Sequence, residues 1–364
     1  MKTLFASAAA ALAILAPVPQ ASAGGLGKPD LLGEIVLPTG LKLGGIEFGG
    51  ISGLDYDAAN ELFYAISDDR SEKAPARFYV LKLAIDDKGV HGLDVVSSTP
   101  LLDAAGKPFA TKDVDPEAIR FNAATGTFYW SSEGDLGGKP AVRESRTDGT
   151  LVREFSLPEA YLPNADKTRG VRNNLAFEAM TISADGKTLL VGTENALVQD
   201  GDKATLQAGS RSRILALDIT NGEVMGEYAY ETGPIFAKAT QDPFWNDNGL
   251  SEFIGLGDGE LVTVERSFAL GVGNQINLFR ASLAGAADVR DAASIAGATV
   301  TPLAKEQVLK LDEGDFGLDI DNIEAISWGP EVGGRRTLVI VSDNNFNPKQ
   351  FTQFVVFQLD DATN

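Results

Sequence analysis

Apolar residues in this chain gather in short runs, some alternating with polar positions and some continuous, and the runs are broken by turn dipeptides rather than spaced at a helical period. In one stretch four such runs follow each other: Phe177 to Ser183, Thr188 to Thr193, Arg213 to Ile219 and Glu223 to Tyr230. Asp185-Gly186 and Asn221-Gly222 separate them, and such pairs supply the positive φ that tight hairpins need. The pattern predicts a four-stranded antiparallel meander. An earlier stretch reads the same way, with runs at Ser52 to Tyr56, Leu62 to Ser67, Phe78 to Ile85 and Val90 to Ser97.

The meander recurs. Its openings are Ser52-Gly53-Leu54, Glu117-Ala118-Ile119, Glu178-Ala179-Met180, Glu252-Phe253-Ile254 and Glu324-Ala325-Ile326, spaced 61 to 74 residues apart. Each is followed by an apolar run that ends in acids: Asp68 and Asp69, Glu133 and Asp135, Glu194, Glu265, and Asp343. Self-similar units of short strands at so long a period predict an all-β fold, a β-propeller of four-stranded blades. Five blades are expected, with six as the alternative if an insertion hides a degenerate one. The last repeat runs out after three strands, at Phe354 to Leu359. Its fourth strand is expected from Leu32 to Leu37, which would join the chain ends in one blade and leave no open edge. The Ala- and Gly-rich stretch from Ala281 to Ala298 reads as a long loop or hairpin tip.

In an antiparallel hairpin the end of the second strand lies beside the beginning of the first. If first strands are innermost, the opening and closing acids of every repeat meet at one mouth of the central channel. Glu117, Glu178, Glu252 and Glu324 would ring it, with Ser52 in the fifth place. Further oxygen donors precede the openings: Asp113, Asp115, Asn173, Asn174, Asp247, Asn248, Asp319, Asp321 and Asn322. Crowded carboxylates repel one another, so they either rise in pKa or recruit cations. Calcium suits such a set, because hard oxygen ligands favour it and the chain has no Cys and one His. The expected metal ligands are Asp68, Asp69, Glu178, Glu194, Glu265, Glu324 and Asp343. Arginines fall beside these acids: Arg70 after Asp69, Arg169 and Arg172 before Glu178, and Arg266 after Glu265. Such forks can grip phosphate or carboxylate.

Composition narrows the reading. A formal charge of −20 argues against nucleic acid or anionic membrane as partners and for a small anionic ligand carried through bound cations. A Ser-His-Asp hydrolase would need a His near its nucleophile, and His91 sits in the outer part of the first repeat. A zinc site built on His fails for the same reason. A two-carboxylate glycosidase stays open, although an aromatic subsite is not evident and Trp130 and Trp328 fall inside strands. Lys2, the apolar run Leu4 to Ala16 and Ala21-Ser22-Ala23 form an export signal ending at residue 23, too short to span a bilayer. The expected product is one periplasmic or secreted domain from residue 24 to 364, acting as a monomer.

The stretch from Arg169 to Glu178, Glu265-Arg266-Ser267-Phe268, Ile323-Glu324-Ala325 with Leu338 to Phe346, and Gly50 to Leu54 with Ser67-Asp68-Asp69 resemble the phytase-like family of exported bacterial proteins, often labelled as having esterase-like activity. The resemblance covers nearly the whole chain after the signal. It departs at Ala118, Ala179 and Ala325, where Gly is frequent. It implies a propeller, calcium, and hydrolysis of a phosphate ester. On that reading Arg172 and Arg266 orient phosphoryl oxygens, Glu117 or Glu252 acts as base, and Arg70, Arg169, Asn174 and Asn344 contact substrate. A propeller that captures an anionic ligand without turnover, and a surface scaffold, are the competing readings.

Overall fold

The computed structural model describes residues 26–361, and the export signal expected over residues 1–23 lies outside them. Five four-stranded antiparallel sheets surround a central axis. Blade 1 comprises Ile51–Asp57, Leu62–Ser67, Arg77–Asp86 and Gly89–Pro100, and blade 2 comprises Pro116–Asn122, Thr127–Ser132, Ala141–Arg146 and Leu151–Glu154. Blade 3 is Phe177–Ile182, Thr188–Thr193, Arg211–Asp218 and Val224–Glu231, and blade 4 is Asn246–Gly257, Glu260–Ala269, Gly273–Ser282 and Ala304–Asp312. Blade 5 takes Ile323–Trp328, Thr337–Ser342 and Phe351–Asp361 from the C-terminal end and Leu26–Pro38 as its outer strand.

That closure is the expected one. Leu37 pairs with Thr352 and Gly33 with Val356, antiparallel along most of the strand. Backbone hydrogen bonds between the two ends thus seal the ring, which would otherwise carry a free edge. First strands are innermost, and each packs against the first strand of the next blade, including blade 5 against blade 1.

The core is distributed between blades. Ile66, Phe78, Phe128 and Trp130 fill the space between blades 1 and 2, and Phe177, Met180, Tyr129 and Val142 that between blades 2 and 3. Comparable clusters fill the other three gaps. Both faces of each sheet are covered, so inner strands read as continuous apolar runs while outer strands alternate. Full burial of each large side chain stabilises the fold by roughly 1.5–3 kcal/mol. Trp130 is buried, as expected of a strand residue, and its Nε1 donates to Ser145 Oγ at 3.0 Å.

The Ala-rich stretch is a connection within blade 4 that reaches back over blade 3. Val289 N donates to Glu227 O and Leu303 N to Ala229 O, and Ile295 packs beside Ala229. It covers the outer edge of blade 3, where an unpaired ladder would invite other strands.

Candidate functional site

The acids converge because of a repeated backbone irregularity. In each blade the first hairpin carries a bulge near its opening: Ile51 pairs with Ser67 and Gly53 with Ile66, so Ser52 is the extra residue. The same holds for Glu178 between Phe177 and Ala179, and for Glu324 between Ile323 and Ala325. In blade 2 the irregularity spans Glu117 and Ala118. A bulge re-aims its side chain, and here it turns these residues toward the mouth. The residue after the paired end of the second strand follows the same rule: Asp68, Glu133, Glu194 and Asp343 donate their backbone N–H to Gly50, Asp115, Ala176 and Asn322.

Blade 4 keeps this register but carries its acids one step away. Leu250 pairs with Glu265 and Glu252 with Val264, so the bulged residue is Ser251. The position matching Asp68 and Glu194 is therefore Arg266. Two expectations fail here. Glu252 is turned into the channel, where it forms a 2.8 Å ion pair with Arg120 and accepts from Met180 N and Phe253 N. Arg120 also donates to Leu54 O and Phe253 O, so the pair ties together blades 1, 2, 3 and 4. Glu265 points outward, accepting from Tyr230 Oη at 2.8 Å and Gly233 N at 2.7 Å and pairing with Lys305. Neither faces the acidic ring.

The ring that remains is dense. Asp115, Glu117 and Glu133 each offer an oxygen within 4.8 Å of the others, and so do Glu133, Glu178 and Glu194. Glu133 belongs to both triads. All five residues are buried. Asp68, Glu324 and Asp343 complete the ring and, with Asp115, Glu117 and Glu178, line a cavity of about 250 Å³ that Arg70, Lys73 and Asn174 also line. Ser52 Oγ donates to Glu324 Oε2 at 3.2 Å. Gly50 and Gly249 allow this crowding, since a Cβ at either would meet Asp68 Oδ1 or Glu194 Oε1 at 2.1 or 2.2 Å.

Burial, then mutual repulsion, holds these carboxyls above their ordinary range. Glu117, Glu133, Glu178 and Asp343 are pushed well up by desolvation and by their acidic neighbours. Asp68 rises to about 8 through burial, reinforced by Glu324 and Asp115. Glu194 rises to about 8 through burial, partly opposed by Arg266. Asp68 Oδ1 is buried with no hydrogen-bond partner. A buried, all-oxygen anionic set with an orphaned acceptor fits a hard divalent cation, and excludes a soft one.

The other expected residues divide. Arg266 lies in the ring, 3.1 Å from Asp247, 3.3 Å from Glu194 and 3.7 Å from Glu324. Those acids outweigh its burial and hold its guanidinium firmly charged. Arg70 stands 3.4 Å from Asp115 at the cavity wall. Asp69, expected as a ligand, is instead committed to Arg77 at 2.7 Å and to the backbone N–H groups of Glu72, Lys73 and Ala74. Arg172 turns away from Glu178, donating to Ala196 O at 3.0 Å and Gly201 O at 2.5 Å, so it braces loops rather than facing the mouth. Arg169 pairs with Glu159 at 2.6 Å outside the cavity. Asn344 is buried and its Oδ1 accepts from Gly50 N and Phe346 N, which shapes the wall from behind. His91 is exposed on the outer strand of blade 1 beside Asp86.

Glu133 and Asp115 stood only in the surround of the expected site and are central to it. The signal was present: Ser132-Glu133 repeats Ser67-Asp68 at the same step of the hairpin.

Residues 46–346 match the phytase-like family, described as esterase-like activity of phytase. The chain belongs to this phytase-like family. Membership supports a hydrolase-like function. Among curated proteins, one from Arthroderma benhamiae described as an uncharacterized secreted protein is 28% identical over 140 residues, covering 32% of this chain and 27% of that relative's length. Among solved structures, an endo-arabinase from Bacteroides thetaiotaomicron aligns over 89% of this chain and 96% of its own at 13% identity and a TM-score of 0.46. A periplasmic gluconolactonase from Pseudomonas aeruginosa aligns over 86% and 90% at 11% identity and a TM-score of 0.39. No helix among the described residues is long and apolar enough to cross a membrane.

Proposed function

We propose that this protein is an exported, calcium-dependent phosphoester hydrolase of phytase-like type, working at the acidic mouth of the propeller. The supporting observation is the pair of buried carboxylate triads that share Glu133, three of whose members, Asp115, Glu117 and Glu178, line a cavity that Arg70 also lines. Asp115, Glu117, Glu133, Glu178 and Glu194 would hold calcium. When bound, the ion supplies neutralisation of the phosphoryl oxygens and a lower pKa for water.

The chain's own groups do the rest. Arg70 contacts a non-bridging phosphoryl oxygen as its charge grows, a task for a fork donor. Asp68, whose Oδ1 is free, takes the proton of the attacking water. Water oxygen bonds to phosphorus, the bond from phosphorus to the ester oxygen breaks, and the departing alkoxide is protonated from solvent. Arg266 fixes the polarity of the far side. Export rests on the run Leu4 to Ala16 and the small residues up to Ala23.

Turnover of a panel of phosphate mono- and diesters, with excess calcium and with excess chelator, tests this. Hydrolysis is expected only with calcium and is lost in Glu133→Gln. Calcium binding without turnover of any ester would favour an anion-capturing propeller instead.

A further inference from the structure

The mouth has a second chamber that the ring chemistry does not use. A cavity of about 660 Å³ lies next to the acidic one and shares Asn174, Glu324 and Asn345 with it. One wall is apolar: Trp245, Phe268 and Leu270. Trp245 is 54% exposed, unusual for so large an apolar surface, while Trp130 is fully buried. It is not a loose side chain. Its Nε1 donates to Asp247 Oδ2 at 3.0 Å, and Lys203 Nζ lies over the ring, 5.3 Å from its centroid. Asp247 uses its other oxygen on Arg266. The indole is thus held at a fixed angle, and tied by one carboxylate to the arginine that completes the ring.

The opposite wall is polar and partly paired within itself. Asn322 Nδ2 gives one N–H to Glu324, Gln350 Nε2 one to Asp321, and Asn347 Nδ2 one to Gln350 Oε1. These internal bonds leave one N–H on each amide. What the chamber offers a ligand is a preset flat apolar surface beside an anion-directed mouth. We infer that Trp245 is a stacking platform, so that the preferred substrates are esters whose alcohol portion is a planar aromatic group, lying on the indole while the phosphoryl end enters the acidic chamber. This rests on the reading of the mouth as an ester site and adds the class of alcohol. Trp245 acts here as a specificity-determining residue.

The test compares binding of 1-naphthyl phosphate and glycerol 3-phosphate by isothermal titration calorimetry on the full calcium-loaded protein, with hydrolysis of both measured separately. Wild type should prefer the naphthyl ester. Trp245→Ala should cut that preference about tenfold, the size expected of an aromatic stack, and Trp245→Phe should restore most of it. Equal preference in wild type and Trp245→Ala overturns the platform even if both esters are hydrolysed. A preference that depends on Trp245 without hydrolysis of either ester supports the platform and sinks the hydrolase reading instead. Failure of wild type to bind the naphthyl ester more tightly than the glycerol ester also overturns it, and Trp245→Phe distinguishes loss of the ring from loss of local folding.

Discussion

Blade 4 differs from the other four at one of the two positions that build the mouth. Blades 1, 2, 3 and 5 place Asp68, Glu133, Glu194 and Asp343 at the end of the second strand, while blade 4 places Arg266 there. The bulge position is Glu in blades 2, 3 and 5, and Ser in blades 1 and 4. The scaffold is fivefold, but its charge is not. One substitution in the repeat sets a buried guanidinium into a ring of otherwise like charges, beside Glu194 and Glu324. A repeat fold can thus make a directional site by changing a single blade, because the backbone register holds all five positions at one face.

The largest effect should come from removing the odd member. Arg266→Ala leaves Asp247, Glu194 and Glu324 without their shared counter-charge, and a broken buried pair costs about 3–5 kcal/mol. Denaturant midpoints should show that loss in the calcium-free protein. Arg266→Lys should recover only part of it, since an ammonium cannot reach three acids as a fork does. A neutral result would mean that the polarity of the mouth is incidental.

Calcium linkage comes next. Ion binding to the folded state alone should add about 2.7 kcal/mol at a hundredfold excess over the dissociation constant. Its pH dependence has a definite sign. Asp68 and Glu194 are raised to about 8 from ordinary carboxylate values, so the ion-free fold retains protons that the unfolded chain releases. Its stability is therefore highest in acid and falls as pH climbs from the unfolded carboxylate range toward 8. Calcium, which on this reading binds the deprotonated set, should flatten or reverse that fall. Melting temperatures across this range, with calcium and with chelator, read both slopes.

Glu252→Gln separates the two kinds of buried acid. It should lower stability by about 1.5–3 kcal/mol through the weakened bond to Arg120, while the calcium dissociation constant stays as in wild type. A loss of calcium affinity would return Glu252 to the ring. The smallest effect is expected for Arg172→Ala, which removes two bonds to loop carbonyls and should cost about 1 kcal/mol with ester turnover nearly unchanged.

These contrasts also show what the chain reveals before folding. The hairpins of blade 3 and the closing strand Leu32 to Leu37 were legible because Asp-Gly and Asn-Gly turns and apolar alternation are local signals. The meeting of Glu117, Glu178 and Glu324 followed from hairpin geometry alone. Blade 4 was misread because Glu252 and Glu265 have the right residue type one step from the right place, and only the pairing of Leu250 with Glu265 reveals the slip. Since strand side chains alternate, one step sends each to the other face. Arg172 misled in a different way: six positions before Glu178, it sits in a loop whose path no local pattern specifies. Trp245 lies in such a loop too, and its exposure can be read only from the folded chain.

The most direct test of the central claim, that the shared triads hold calcium, is calorimetric titration of calcium into wild type and Glu133→Gln, with melting temperatures taken for both after chelation. Gln keeps the oxygen that accepts from Ala176 N but removes the charge common to both triads. Calcium binding should be lost or weakened by orders of magnitude, while the chelated variant melts at or above the chelated wild type, because Gln stands in for a carboxyl that burial and its acidic neighbours already hold toward its neutral form. Calcium binding at wild-type affinity in Glu133→Gln, or no binding to wild type, would contradict the account.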